Sequence, residues 1–167
     1  MHSTLSRGLL FPLCALALAL GCASPPGGGQ VKFNARAGTG ERPNIEVDAS
    51  ALTGERLAVY LAHGGSNEVG SEVAQALASA GKADEGTVVK IRITRFRLRS
   101  GSSAFWLGVM AGADTIACDV EVERNGRSSH RFDTDTSTIL GGLLMPGTVT
   151  RFNRLVRELA KRVAAGV

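Results

Sequence analysis

The chain has 167 residues, 44% of them hydrophobic, enough for one modest core and without a sign of two domains. Nineteen Lys and Arg against fifteen Asp and Glu leave a formal charge of +4 at pH 7. So slight an excess does not argue for nucleic acid as a partner.

The stretch from Leu9 to Leu20 is apolar, follows a single early cation, Arg7, and ends in Ala19-Leu20-Gly21-Cys22. It is too short to cross a bilayer as a mature helix and has the length of a signal-peptide apolar region. The segment resembles a bacterial lipoprotein signal, with Ala19 where such signals usually carry Leu. The resemblance implies that residues 1–21 are removed, that the Cys22 thiol takes a diacylglycerol and that the new amine is acylated. Two or three chains, at about 0.8 kcal/mol per buried methylene, then make release from the membrane negligible. Ala23 rather than Asp follows Cys22, which by the same resemblance favours the outer membrane, the domain facing the periplasm. An ordinary secretory signal cut near Ala23 and an uncleaved anchor are the alternative readings of these residues. With Cys14 lost and Cys22 lipidated, Cys118 has no intramolecular partner, which excludes a disulfide framework.

Residues 22–43 are polar and glycine-dotted and read as a lipidated, flexible tether with a root-mean-square reach of about 25 Å. One folded domain is expected over 44–167. The apolar run Leu57–Ala62 reads as a buried strand. Ser66 offers an N-cap to a helix reaching about Ala80, with Val69, Val73, Ala76, Leu77 and Ala80 on one face and Gly81 as its stop.

Thr87 to Arg99 reads as the next strand. Val89, Ile91 and Ile93 share one parity while Phe96 and Leu98 have the other, so a bulge near Thr94 or Arg95, or a change of buried face, is required. Ile116, Cys118, Val120 and Val122 alternate with Ala117, Asp119, Glu121 and Glu123, giving a strand with one wet face. Arg124-Asn125-Gly126 turns the chain. A two-residue Asn-Gly turn sets Asp119 against Phe132 and mixes the faces, whereas a three-residue loop pairs Glu123 with Arg127, Asp119 with Arg131 and Cys118 with Phe132. The second register is the expected one, and the charges on these strands form a cross-strand ladder. In the terminal helix Phe152, Leu155, Val156, Leu159, Ala160 and Val163 keep the three-and-four spacing, leaving Arg151, Arg154, Arg157, Lys161 and Arg162 to the wet side. The expected fold is α+β, a two-layer sandwich of a roughly four-stranded mixed sheet with two helices on one face.

The signal with Cys22, the helix closed by Gly81, the strand from Val88, the Asn125-Gly126 hairpin and the terminal helix together resemble small outer-membrane lipoproteins of the YajG type. More loosely they resemble the periplasmic α/β domain of the TolB amino-terminal region and of CsgG. The resemblance covers about residues 57–165 and rests on order and spacing. It implies a subunit or adaptor of an envelope complex and supplies no catalytic residue.

Residues with chemical potential are few. His63-Gly64-Gly65-Ser66 resembles an esterase oxyanion-hole loop, but no Gly-x-Ser-x-Gly elbow accompanies it, and a turn with a helix cap accounts for it. Asp133-Thr134-Asp135 offers too few oxygens for a stable cation site and reads as a solvated strand end. His63 and His130 alone are too few for zinc, and Cys118 reads as an inert buried thiol. No metal, cofactor or catalytic residue is expected. Two segments stand out instead: Gly101–Ala113, where Phe105, Trp106, Leu107 and Met110 cluster among glycines, and Ile139–Met145, also apolar. Either both fold back as a second small core, or they are partner or membrane contacts. The expectation is a non-catalytic lipoprotein, held to the membrane through Cys22, that docks on an envelope protein. The alternative is a lipid or lipopolysaccharide-binding accessory of a transport system, using the arginines at 95–99 and 151–162.

Overall fold

Clean alternation begins at the domain's first strand: in β1, Asn44–Asp48, Ile45 and Val47 are buried while Glu46 and Asp48 reach water. The computed structural model describes residues 43–84, 86–100, 112–139 and 147–167. The elements after β1 are α1 (Gly54–Ala62), α2 (Gly65–Ser79), β2 (Thr87–Arg97), β3 (Asp114–Arg124), β4 (Arg127–Thr138) and α3 (Thr148–Gly166). The strands form one open sheet in the order β1-β2-β3-β4, β1 parallel to β2 and the other pairs antiparallel. The fold is therefore α+β with a mixed four-stranded sheet.

The expected strand over Leu57–Ala62 is a helix, which brings the described helices to three. A six-residue apolar run does not distinguish strand from helix by its period. Within it only Tyr60 is fully buried and Leu61 is 45% exposed, so one side alone is laid on the core. The fourth strand is supplied earlier in the chain by β1. At the junction of α1 and α2, Gly64 is the N-cap, and Ser66 lies inside the first turn of α2 instead of capping it. The far end of α2 closes as expected. Gly81 has φ +68°, its N–H donates to the Ala78 carbonyl at 3.1 Å, and the Lys82 N–H donates to the Leu77 carbonyl at 2.9 Å. Lys82 Nζ also donates to the Ala164 carbonyl at 2.9 Å, satisfying the end of α3.

β2 contains the bulge that its parity demanded. The register with β3 shifts between Ile93 and Arg95, so Thr94 is the extra residue and Phe96 returns to the core face. The β3–β4 hairpin differs from expectation. Arg124 faces Arg127 across a two-residue Asn125-Gly126 turn, with φ +53° and +74°. The mixing of faces that this turn implies is undone one step later, where the register shifts between Val122 and Glu123 and Ser129 becomes the extra residue. Its hydroxyl donates to the Val122 carbonyl at 3.0 Å. Beyond the bulge, Val120 faces Phe132 and Glu121 faces Arg131.

All six apolar stripe residues of α3 are buried, against Val69, Val73 and Leu77 of α2 and one face of the sheet. Leu159→Ala should lower stability by about 2–5 kcal/mol. Arg157→Ala, whose side chain is 64% exposed and 3.8 Å from Glu72, should cost under about 1 kcal/mol; urea midpoints measure both. In the turn, Asn125→Val and Gly126→Val should each cost about 1–2 kcal/mol, since both positions have positive φ, while Asn125→Gly should be nearly neutral.

Candidate functional site

The end of the sheet where β2 leaves and β3 returns carries the least expected chemistry in the molecule. Asp114 opens β3 with its carboxylate fully buried. Arg99, two residues beyond β2, donates to Oδ1 from its backbone N–H at 2.9 Å and from Nε at 3.1 Å. Arg151, in the first turn of α3, donates from Nη1 to Oδ2 at 2.7 Å and from Nη2 to the Arg99 carbonyl at 2.7 Å. The result is a closed ring of charge-assisted hydrogen bonds joining three segments of the chain. Arg151, read from the helical wheel as a wet-face residue, is 1% exposed, and Arg99, placed in an arginine-rich strand face, is 4% exposed.

Two guanidinium groups share one carboxylate here, and Nε of Arg151 has no partner among the described residues. The adjoining segments 101–111 and 140–146 contain no Asp or Glu, so they bring no second carboxylate. Next to the ring, Phe152 belongs to an aromatic cluster with Tyr60 and Phe96, all in edge-to-face contact with centroids 5.4 to 6.3 Å apart. This pins α1 and α3 to β2 at the same end.

The ring sits at the root of both apolar segments singled out in the sequence. Arg99 and Asp114 flank residues 101–111, Asp114 faces Thr138 in the β3–β4 register, and Arg151 follows residues 140–146. Phe105, Trp106, Leu107 and Met110 lie outside the described residues, as do Cys22, the expected signal and the expected tether up to residue 42. Ile139, at the edge of the second segment, is 58% exposed.

The other sequence candidates are dispersed. His63 ends α1, its Nδ1 2.8 Å from the Val59 carbonyl and its ring against Phe152. Ser66 is buried close to the Tyr60 hydroxyl; the two interact electrostatically, yet neither reaches hydrogen-bond geometry with any partner among the described residues. Burial pushes the Tyr60 hydroxyl up to about 12 and the Cys118 thiol up to about 12, so both are protonated at neutral pH and neither is an activated nucleophile. Asp133 and Asp135 are exposed in mid-strand, on the sheet face away from the helices, and Thr134 points to the opposite face. No cluster of three or more metal-ligating side chains occurs among the described residues.

The same outer face carries the expected ladder. Arg131 lies 3.0 Å from Glu121, Arg92 lies 4.0 Å from Asp48, and Lys90 pairs with Glu123. Hydrogen bonds from Ser128 and then Arg131 hold the Glu121 carboxyl below the usual carboxylate range, and the bond to Glu123 holds Lys90 above its usual value.

Opening the ring leaves a buried charge without its partner. Asp114→Asn and Arg151→Met should each destabilise by about 3–5 kcal/mol, as exposed Arg154→Met should not, and chemical denaturation reads the difference.

No curated protein matches the chain. Among solved structures, the PelC dodecamer from Paraburkholderia phytofirmans is similar at 14% identity, covering 56% of this chain and 72% of that one, with a TM-score of 0.39. A candidate lipoprotein from Caulobacter crescentus CB15 is similar at 16% identity, covering 72% of this chain and 85% of that one, also with a TM-score of 0.39. Likenesses of that extent bear on neither function nor assembly. The family model described as Domain of unknown function (DUF4410) matches residues 68–152, just over half of the chain. That span runs from the first turn of α2 to the residue after Arg151 and contains all three members of the buried ring; the protein belongs to the DUF4410 family.

Proposed function

We propose that this DUF4410 protein is a lipid-anchored, non-catalytic envelope lipoprotein acting as adaptor or accessory subunit of a membrane or periplasmic complex. The observation that carries this reading is the common root of the two apolar segments on the Arg99–Asp114–Arg151 ring. A buried charge ring fixes segment ends without drawing on the apolar side chains between them. In this reading Phe105, Trp106, Leu107 and Met110, which lie between those ends in the sequence, serve as anchors for a protein partner.

Topology adds a second support. β1 runs parallel to β2 with Asn44 opposite Val88, so the chain enters the sheet at the end away from Arg97. About nine residues of strand, or about 30 Å, separate that entry from the roots of the apolar segments. A domain tethered through Cys22 on the outer membrane would thus hold its docking end away from its point of attachment, towards the periplasm. The likeness to YajG-type lipoproteins, and the looser one to TolB and CsgG, belongs to this proposal. No nucleic acid or cofactor enters it.

The alternative, a lipid or lipopolysaccharide-binding accessory, draws on α3, where Arg154, Arg157, Lys161 and Arg162 are all exposed. In-cell cross-linking followed by purification separates the two. One stoichiometric protein supports the adaptor, and co-purified glycolipid without a protein supports the alternative.

Cys22→Ser should abolish fatty-acid labelling; normal labelling of the variant would remove the anchor from the proposal. Trp106→Ala should weaken cross-linking to the partner and leave the thermal midpoint nearly unchanged. A loss of about 3–5 kcal/mol instead would mean that Trp106 is a core residue and that docking lies elsewhere.

A further inference from the structure

Among the described residues the helices cover one face of the sheet and leave the other open. The open face contains a hollow of about 580 Å³ walled by all four strands. Its charges lie in rows across the strands. The register places Glu46, Lys90, Glu121 and Arg131 in one row, and Asp48, Arg92, Asp119 and Asp133 in the next. The first row alternates in sign from edge to edge. The second alternates as far as Asp119 and then fails, because Asp133 stands directly opposite Asp119. Like charges directly opposite are unfavourable, so the second row is one cation short on its β3–β4 side.

We propose that this place is filled by Arg36, on the segment that precedes β1, folded back over the open sheet face. Charge supports the assignment first. From Cys22 to Arg42 the segment carries Lys32, Arg36 and Arg42 against Glu41 alone, the sign that the second row lacks. Connectivity supports it next, since the segment joins the sheet at Pro43, immediately before the strand whose Glu46 and Asp48 line the hollow.

Distance is the third support. From the start of β1 to the Asp119–Asp133 pair is about 13 Å along the strands and about 12 Å across them, hence about 18 Å on the diagonal. The seven residues from Arg36 to Pro43 reach up to about 23 Å when extended, and Gly38 and Gly40 permit the reversal of direction. Short linkers give effective concentrations in the millimolar range, so an individually weak ion pair is populated. The contact is independent of whether Cys22 is lipidated. Where it forms, it shortens the span of chain free to reach from the anchor to the domain.

Limited tryptic digestion of the mature chain tests this, with cleavage after Lys32 as the reporter. The Arg42–Pro43 bond resists trypsin, and the Lys32 site survives when Arg36 is changed. Arg36→Glu and Asp133→Arg should each speed the Lys32 cut several-fold. The double variant Arg36→Glu with Asp133→Arg should restore the slow rate, and about 1 M salt, where the screening length is about 3 Å, should speed the wild type. Thermal midpoints show whether Asp133→Arg and Arg36→Glu leave the fold intact. Equal Lys32 cleavage in wild type and Arg36→Glu overturns the proposal. So does protection that rises with protein concentration, which would give the face to a second copy of the chain.

Discussion

One carboxylate organises the far end of this domain. Asp114 is removed from water, and such a charge would cost several kcal/mol to bury if its oxygens were left unpaired. They are met by three donors, and the Arg99 carbonyl closes the ring by accepting from Arg151. A well-packed apolar cluster would serve stability as well, so the ring is best understood through what it specifies. A hydrophobic contact tolerates sliding; a bidentate arginine bridging a carboxylate and a carbonyl does not. The exit of β2, the entry of β3 and the first turn of α3 are set relative to one another by atoms whose alternatives are all unpaired buried charges.

The remainder of the packing follows from that fixed corner. With Arg151 held at Asp114, Phe152 is delivered to Tyr60 and Phe96, and the stripe of α3 runs down the sheet from there to the carbonyls that Lys82 closes. α3 is thus secured at both ends by cations, one buried and one half-buried, with apolar contact between. On the opposite face the strands meet water through paired charges. Long edge strands invite pairing with other chains, and the Ser129 bulge and the exposed charges Arg131, Asp133 and Asp135 of β4 are features that discourage it.

Much of this was legible in the sequence because it rests on local periodicity. The β3 alternation, the α3 stripe, the Gly81 stop and the need for a bulge beside Thr94 all depend on spacing within one element. The errors share a different cause. Leu57–Ala62 is too short for its period to decide between strand and helix, and β1, though inside the expected domain, has only Ile45 and Val47 as apolar positions, too few for alternation to mark a strand. The hairpin register failed because one bulge at Ser129 reverses the parity argument that had rejected the two-residue turn. The ring itself was invisible for a physical reason. Arg99, Asp114 and Arg151 are separated by 15 and 37 positions, each is polar, and nothing local distinguishes a buried arginine on a helix from the exposed ones beside it. A signal did exist: an isolated Asp beginning an otherwise apolar strand face, in phase with Ile116 and Cys118, points inward by parity and must find cations there.

The parallel pairing of β1 with β2 also has a mechanical side. Any pull between the chain's entry at Pro43 and a body held at the opposite end of the sheet is directed along the strands. Load passes from β1 into the sheet through its ladder with β2, Asn44 opposite Val88 to Asp48 opposite Arg92. In that geometry the hydrogen bonds are sheared together instead of being peeled apart one after another, so they share the force. A short strand of five residues, weak as a folding unit, is in this orientation the strongest way to hang the domain on its own leading segment.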